Sequence, residues 1–276
     1  MNIDALFDHF STLPPAPRVV QEVFAHFQQD GRQPTDLVEL IESDPVIYAR
    51  LLQVANSARF QMPHRIKTAK QAVQLLGLVN VRTLVISIGL IHCFKQIPAT
   101  LLQPLWQHNL YTATAARQLA LQVGVDAGLA YALGLLHGIG QLVMRIVQPE
   151  AMLDLDEHVS AQAPSRLILE HQTFGYAYTD VSAELARRWQ FPTLFEQVLA
   201  GTSDPLTHPM DADVATLAAL IHLSAWLAWA NDLSPQTTQD SWPVDVAKRL
   251  GLPHSAVELA IPPLQNLCPA LQDLIS

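Results

Sequence analysis

The 276-residue sequence predicts an all-α protein. Three observations lead there. Helix start and stop signals recur along the chain. Apolar residues return at helical spacing, and alternating runs that would mark strands are nearly absent. Most of the 19 prolines fall between the apolar-periodic segments, where they end helices without breaking them.

The first clear helix is capped by Thr35 and runs through Ile41, with Asp36 and Glu39 near its positive end. Asp44-Pro45 starts the second: a carboxylate accepts the free N–H groups, and proline suits the first helical position. Ile47, Leu51, Val54 and Ala55 form its apolar stripe. Lys70–Leu76 follows, with Gly77 as its C-cap. Val79–Phe94 is apolar nearly all round, which places it inside. Pro98 and Pro104 then interrupt the chain before a long Ala-rich helix over Leu105–Val123. Further helices are predicted at Leu129–Val147, Ser165–Phe174, Asp180–Trp189, Thr193–Leu199, Asp213–Ala230, Pro243–Leu250 and Ser255–Leu264. No fixed-period repeat appears, so the expected shape is two helical lobes meeting near Pro98–Pro104.

Half the residues are apolar and 15% are charged, which excludes a disordered tail. The net charge of −9 argues against a general nucleic-acid binder, whose affinity comes from neutralising phosphates with cations. The two cysteines, Cys93 and Cys268, have no C-x-x-C spacing; they fit a reducing compartment and no disulfide scaffold or zinc ribbon. The start MNIDALFDHF lacks the basic and apolar order of a signal peptide. Thr83–Phe94 is too short to cross a bilayer, and Ala127–Met144 is interrupted by Gly128, Gly134, His137, Gly138, Gly140 and Gln141. Both are expected as core helices of a soluble, cytoplasmic protein.

Charge is uneven. From Pro45 to Val125 there is no Asp or Glu, and Arg50, Arg59, Arg65, Lys67, Lys70, Arg82, Lys95 and Arg117 give +8; the rest of the chain carries −17. Two readings stand: the halves dock on each other, or Arg59, Arg65, Lys67, Lys70 and Arg82 face an anionic partner such as a nucleotide or an acidic protein surface.

Eleven histidines include no H-E-x-x-H, and there is no Walker loop or G-x-S-x-G elbow. The unusual segment is Gly134-Leu-Leu-His137-Gly138-Ile-Gly140, a histidine central to an apolar helix that turns glycine-rich after it. For His137 alone the ordinary role is a hydrogen-bonded core residue. Trp226 and Trp229 suit a core or dimer interface, and Glu170 beside His171 makes no acid-base pair because adjacent helical residues point apart.

LLHGIGQLVM resembles the central motif of the HD superfamily of metal-dependent phosphohydrolases, in which an LLHDIG-type sequence supplies a His-Asp pair. Most of the chain resembles its HDOD branch, the HD-related output domain of bacterial signalling proteins. Leu13-Pro14-Pro15-Ala16-Pro17 is similar to the L-P-x-L-P opening. Ile41–Phe60 matches the D-P-x-L-x-x-x-L-L-x-x-A-N-S pattern through Asp44, Pro45, Leu51, Leu52, Ala55, Asn56 and Ser57. Ala72–Val85, with Gly77, resembles A-I-x-x-L-G-x-x-x-V-R-x-L, and Trp106-x-His108 resembles W-x-H-S. Glu170, Phe174 and Gly175, then Trp189 and Pro192, match the later elements. The resemblance spans residues 10 to 205 and implies an HD-like helical globule, with an N-terminal lobe over 1–103 packed on an HD-type lobe over 104–276.

The departures shape the functional expectation. The resemblance aligns the two metal-binding histidines with His108 and His137, but its following Asp falls on Gly138 and its late Asp on Ala225. Extra histidines of second-metal variants fall near Tyr178, Thr202 and Ser203, none of which is His. Two neutral imidazoles are too few ligands for a 2+ ion, so no cofactor is expected. The expectation is a non-catalytic signalling module with a protein partner in trans, since no receiver, GGDEF or EAL domain is recognisable; a cyclic dinucleotide or other anionic nucleotide is a further candidate ligand. The alternative is a metal-dependent phosphohydrolase with unorthodox ligands, in which His222 stands in.

Overall fold

The computed structural model describes residues 2–8, 15–25, 34–56, 65–94, 97–231, 238 and 241–260, and no strand occurs among them. The chain runs α1 (Ile3–Asp8), α2 (Arg18–Ala25), α3 (Pro34–Glu42), α4 (Pro45–Ala55), α5 (Ala69–Leu76), α6 (Leu78–Cys93) and α7 (Ala99–Val123). It continues through α8 (Ala127–Leu136), α9 (Ile139–Val147), α10 (Pro149–His158), α11 (Ser165–Phe174), α12 (Tyr178–Arg188), α13 (Thr193–Gly201) and α14 (Ala212–Ala230). The last two are α15 (Val244–Arg249) and α16 (His254–Ala260).

Local chemistry explains several boundaries. Asp44 Oδ1 accepts the N–H groups of Val46 and Ile47 at 2.9 and 3.1 Å, so α4 begins as the sequence predicts. Gly77 ends α5 at φ +81, in the left-handed region that favours glycine. Thr68 caps the start of α5 through Gln71 N–H, a signal the sequence reading passed over.

Four expectations are corrected. The first long helix begins at Pro34, so Thr35 is inside it and is not its cap. Pro104 does not interrupt the chain: α7 starts at Ala99 and passes through it. One ladder bond is lost there, but burial of Leu105 and Trp106 just beyond holds the helix on the core. The predicted Leu129–Val147 helix is two helices broken at His137-Gly138. Finally, α10 was missed because its acidic residues leave only Met152 and Leu155 buried.

Most of the buried apolar residues form one continuous cluster from Leu6 to Val257. The stretch over α8 and α9, and α14, are each long and apolar enough to cross a bilayer by composition, but 83% of the first is buried in the fold. Helix α8 lies close against α7 at Gly134: a Cβ there would stand 2.7 Å from Ala113 Cα. Phe94, at the end of α6, meets both signature tryptophans, with ring centroids 6.4 Å from Trp106 and 6.3 Å from Trp189. From Trp189 the aromatic contacts continue through Phe191 to Phe24 on α2.

Candidate functional site

The packing of α8 on α7 brings His108 and His137 together, their ring centroids 5.4 Å apart. His137 is buried, and its Nδ1 lies 2.6 Å from Gly134 O. A carbonyl only accepts, so Nδ1 carries the proton and Nε2 presents a lone pair; among the described residues that buried Nε2 has no hydrogen-bond partner. Burial pushes the His137 pKa down to about 4, outweighing the bond to Gly134. His108 is pushed down to about 3, by burial first and then by repulsion from His137. Both imidazoles are therefore neutral at pH 7.

Position 138 is occupied in another way. Asn109, buried on α7, sets its amide beside Gly138. A Cβ at 138 would run into Asn109 Oδ1, with Cγ 3.3 Å and Nδ2 3.4 Å away. Asn109 stands where the W-x-H-S pattern has serine; that departure was legible in the sequence but went unread.

The helix break is held from α12. Ser182 Oγ donates toward the His137 and Tyr178 carbonyls and accepts Gly140 N–H, each at 2.8 Å. A hydroxyl has one proton, so its two carbonyl contacts share it. Gly140 lets α9 approach: a Cβ there would stand 2.8 Å from Ser182 N. The Tyr178 ring lies edge-on to His137 at 6.4 Å, and burial raises its phenol pKa. Thus Tyr178 does border the histidine pair.

Behind Tyr178 lies a charged network. Glu170 Oε2 accepts Tyr178 N–H at 2.7 Å and Oε1 accepts Arg166 Nε at 2.9 Å. Arg166 Nη1 donates to Asp156 Oδ1 and Val159 O, while Arg145 grips the same Asp156 through two bonds. Glu170 is thereby a buried ion-pair residue, while exposed His171 lies 3.4 Å from Asp180. Sequence reasoning missed Arg145 and Asp156, because an ion pair between α9, α10 and α11 has no local spacing; it also missed Arg166, although the i,i+4 spacing to Glu170 was there to read.

The remaining sequence candidates are placed as follows. Asn56 donates to Leu52 O and Ile66 O and accepts Ile66 N–H, joining the end of α4 to the chain before α5. Gly175 ends α11 at φ +83, and Pro192 precedes α13. His222 Nδ1 bonds Thr202 O at 2.9 Å, and Ala225 lies three residues further along α14. Arg65, Lys67 and Lys70 are exposed, in no ion pair among the described residues, and Arg82 is half-buried on α6. Ser57, Arg59, Leu13, Pro14 and Cys268 lie outside the described residues.

With this geometry in place, the comparison with known families is decisive. The model of the HDOD domain matches residues 13–205. The chain belongs to the HDOD family. An HDOD domain protein of Geobacter sulfurreducens has the same fold at a TM-score of 0.76 and 20% identity, covering 99% of this chain and 95% of its own. A crystal structure named "Putative phosphohydrolase", from Shewanella amazonensis, matches at 0.72 and 23%, covering 98% and 97%. One named "Putative signal transduction protein", from Marinobacter aquaeolei, matches at 0.73 and 23%, covering 99% of this chain and 59% of its own. Among curated proteins, an uncharacterized protein of Treponema pallidum is 28% identical over 190 residues. Those residues are 68% of this HDOD chain but only 37% of that relative, so the chain spans little over a third of its length.

The residues present do not fit the metal centre that the HD scaffold implies. Among the described residues, no group of three or more His, Cys, Asp or Glu side chains is placed to hold a metal ion. His108 and His137 offer two neutral nitrogens, and an amide fills the side of the site where a carboxylate at 138 would stand. A dication there would lack the negative donors that offset its desolvation.

Proposed function

We propose that this HDOD chain is a non-catalytic signalling module that acts in the cytoplasm by binding a protein partner in trans. The observation that carries the reading is the donor set around His137: the His108 imidazole beside it and a glycine at 138 with Asn109 against it, while the position that the resemblance gives to the late Asp is Ala225. Hydrolysis of a phosphate ester in an HD scaffold depends on metal-activated water, and these residues give a dication no carboxylate. What is retained is the architecture: the helix cap at Asp44, the Asn56 tie and the aromatic contacts of Trp106 and Trp189.

The test is elemental mass spectrometry of tag-free protein, paired with turnover of bis(p-nitrophenyl) phosphate in added Mn2+. We expect far less than one metal per chain and no turnover above the buffer rate. Stoichiometric metal with turnover that is lost in His137→Ala would overturn the reading in favour of a phosphohydrolase with unorthodox ligands.

A second ligand reading rests on exposed Arg65, Lys67 and Lys70, three cations within one short stretch that form no ion pair among the described residues. It predicts salt-sensitive binding of an anionic nucleotide. Calorimetry with cyclic di-GMP at low salt tests it, and a flat titration rejects it.

A further inference from the structure

We infer that Asn109 is a plug that locks position 138 as glycine and thereby closes the carboxylate side of the His108–His137 pair. This rests on reading the pair as metal-free, but its evidence is steric. Asn109 is 1% exposed, so its amide is not the loose end of a surface side chain that swings aside. It stands on the residue next to His108, as Gly138 stands next to His137. The two changes from the HD pattern therefore face each other across the α7–α8 contact. Any side chain at 138, beginning with a methyl group, meets Asn109 Oδ1 first.

The backbone adds nothing to the restriction. Gly138 has φ −97 and ψ 6, which an L-residue adopts, so glycine is needed there for space and not for conformation. Among the described residues the Asn109 Nδ2 has no hydrogen-bond partner, and the contact that restricts position 138 is the bulk of the buried amide. Closure is thus a property of two positions, and restoring a carboxylate at 138 alone cannot reopen the site.

The experiment is a thermal-unfolding cycle on the full chain. Gly138→Ala is measured in the native background, in Asn109→Ser, which cuts the plug back, and in Asn109→Leu, which keeps its bulk without the amide. The expected result is a fall in Tm of several degrees for Gly138→Ala with Asn109 or Leu at 109, and little or no fall with Ser at 109. An equal fall in all three backgrounds would overturn the plug, and so would no fall in any.

A second arm separates this result from the functional reading. Calorimetric titration with Zn2+ compares the native chain with Asn109→Ser/Gly138→Asp. We expect binding in the double variant and none in the native chain or in Gly138→Asp alone. Zn2+ bound equally by Gly138→Asp alone would overturn the plug. Stoichiometric Zn2+ in the native chain would overturn the metal-free reading while leaving the steric cycle to stand on its own result.

Discussion

Arg166 and Glu170, one turn apart on α11, form an ion pair in which neither side chain has any exposed surface. Its Nε–Oε1 separation is 2.9 Å, and the second carboxylate oxygen holds Tyr178 N–H at the start of α12. Such a pair is weak as a source of stability but strongly unfavourable to break, because the remaining charge stays buried.

Glu170→Ala is therefore expected to cost about 3–5 kcal/mol in urea-induced unfolding. Arg166→Met/Glu170→Leu should cost clearly less than the two single changes together, since it removes both charges and leaves Asp156 with Arg145. Additive losses would show that the two side chains act independently.

The buried His137 and the half-buried His108 set a pH dependence. His137 takes up a proton near pH 6.5 when unfolded but only near pH 4 when folded. Between those values the unfolded state binds more protons, so stability falls as pH falls through the window from 6.5 to 4. The full effect of His137 is about 3 kcal/mol. His108, lowered to about 3, acts in the same direction and extends the decline further into acid. Tm measured from pH 7 to 5 should drop more steeply for the native chain than for His137→Gln; parallel curves would rule out a neutral buried His137.

Asn56 makes three hydrogen bonds of 2.7 to 2.8 Å to Leu52 and Ile66. Asn56→Ala should lose about 2–3 kcal/mol, more than a surface cap, because it frees the partly buried Ile66 carbonyl and N–H, while Leu52 O keeps the backbone N–H of residue 56. Asn56→Asp keeps the acceptor for Ile66 N–H but sets its charge against both carbonyls, so it should not rescue stability. Chemical denaturation of both variants distinguishes this tie from a ligand-binding role, which would leave the midpoint unchanged.

Asp44→Ala should lose about 1 kcal/mol and Asp44→Asn very little, since Asn still accepts the N–H groups of α4. The two denaturation midpoints give the comparison directly. Equal losses would mean that the charge of Asp44, not its capping oxygen, is what α4 uses.

The sequence made α4 readable because Asp44 reaches only two and three residues ahead. It also led to His108 and His137 through motif resemblance, and the fold does bring those rings together. The break between α8 and α9 was hidden. The apolar pattern is the same on both sides, and the hydroxyl that engages the His137 carbonyl belongs to Ser182, 45 residues along. The Arg145–Asp156–Arg166 links were hidden for the same reason, since they arise only when three helices meet; the Arg166–Glu170 pair alone has a spacing that the sequence displays. Asn109 was half legible. Its departure from serine stood beside His108 in the sequence, but only the packing of α8 on α7 sets its amide against Gly138.

Phe94 meets both Trp106 and Trp189, yet it lies in none of the motifs quoted above. Two tryptophans far apart in the sequence therefore share one volume, and that volume is owned by a third residue. A descendant chain that enlarges position 94 must shrink or tilt a ring on either flank, and one that loses a tryptophan leaves a void that the same phenylalanine must fill. The substitutions available at these three positions are a joint inheritance: drift at one rewrites which residues the other two can become.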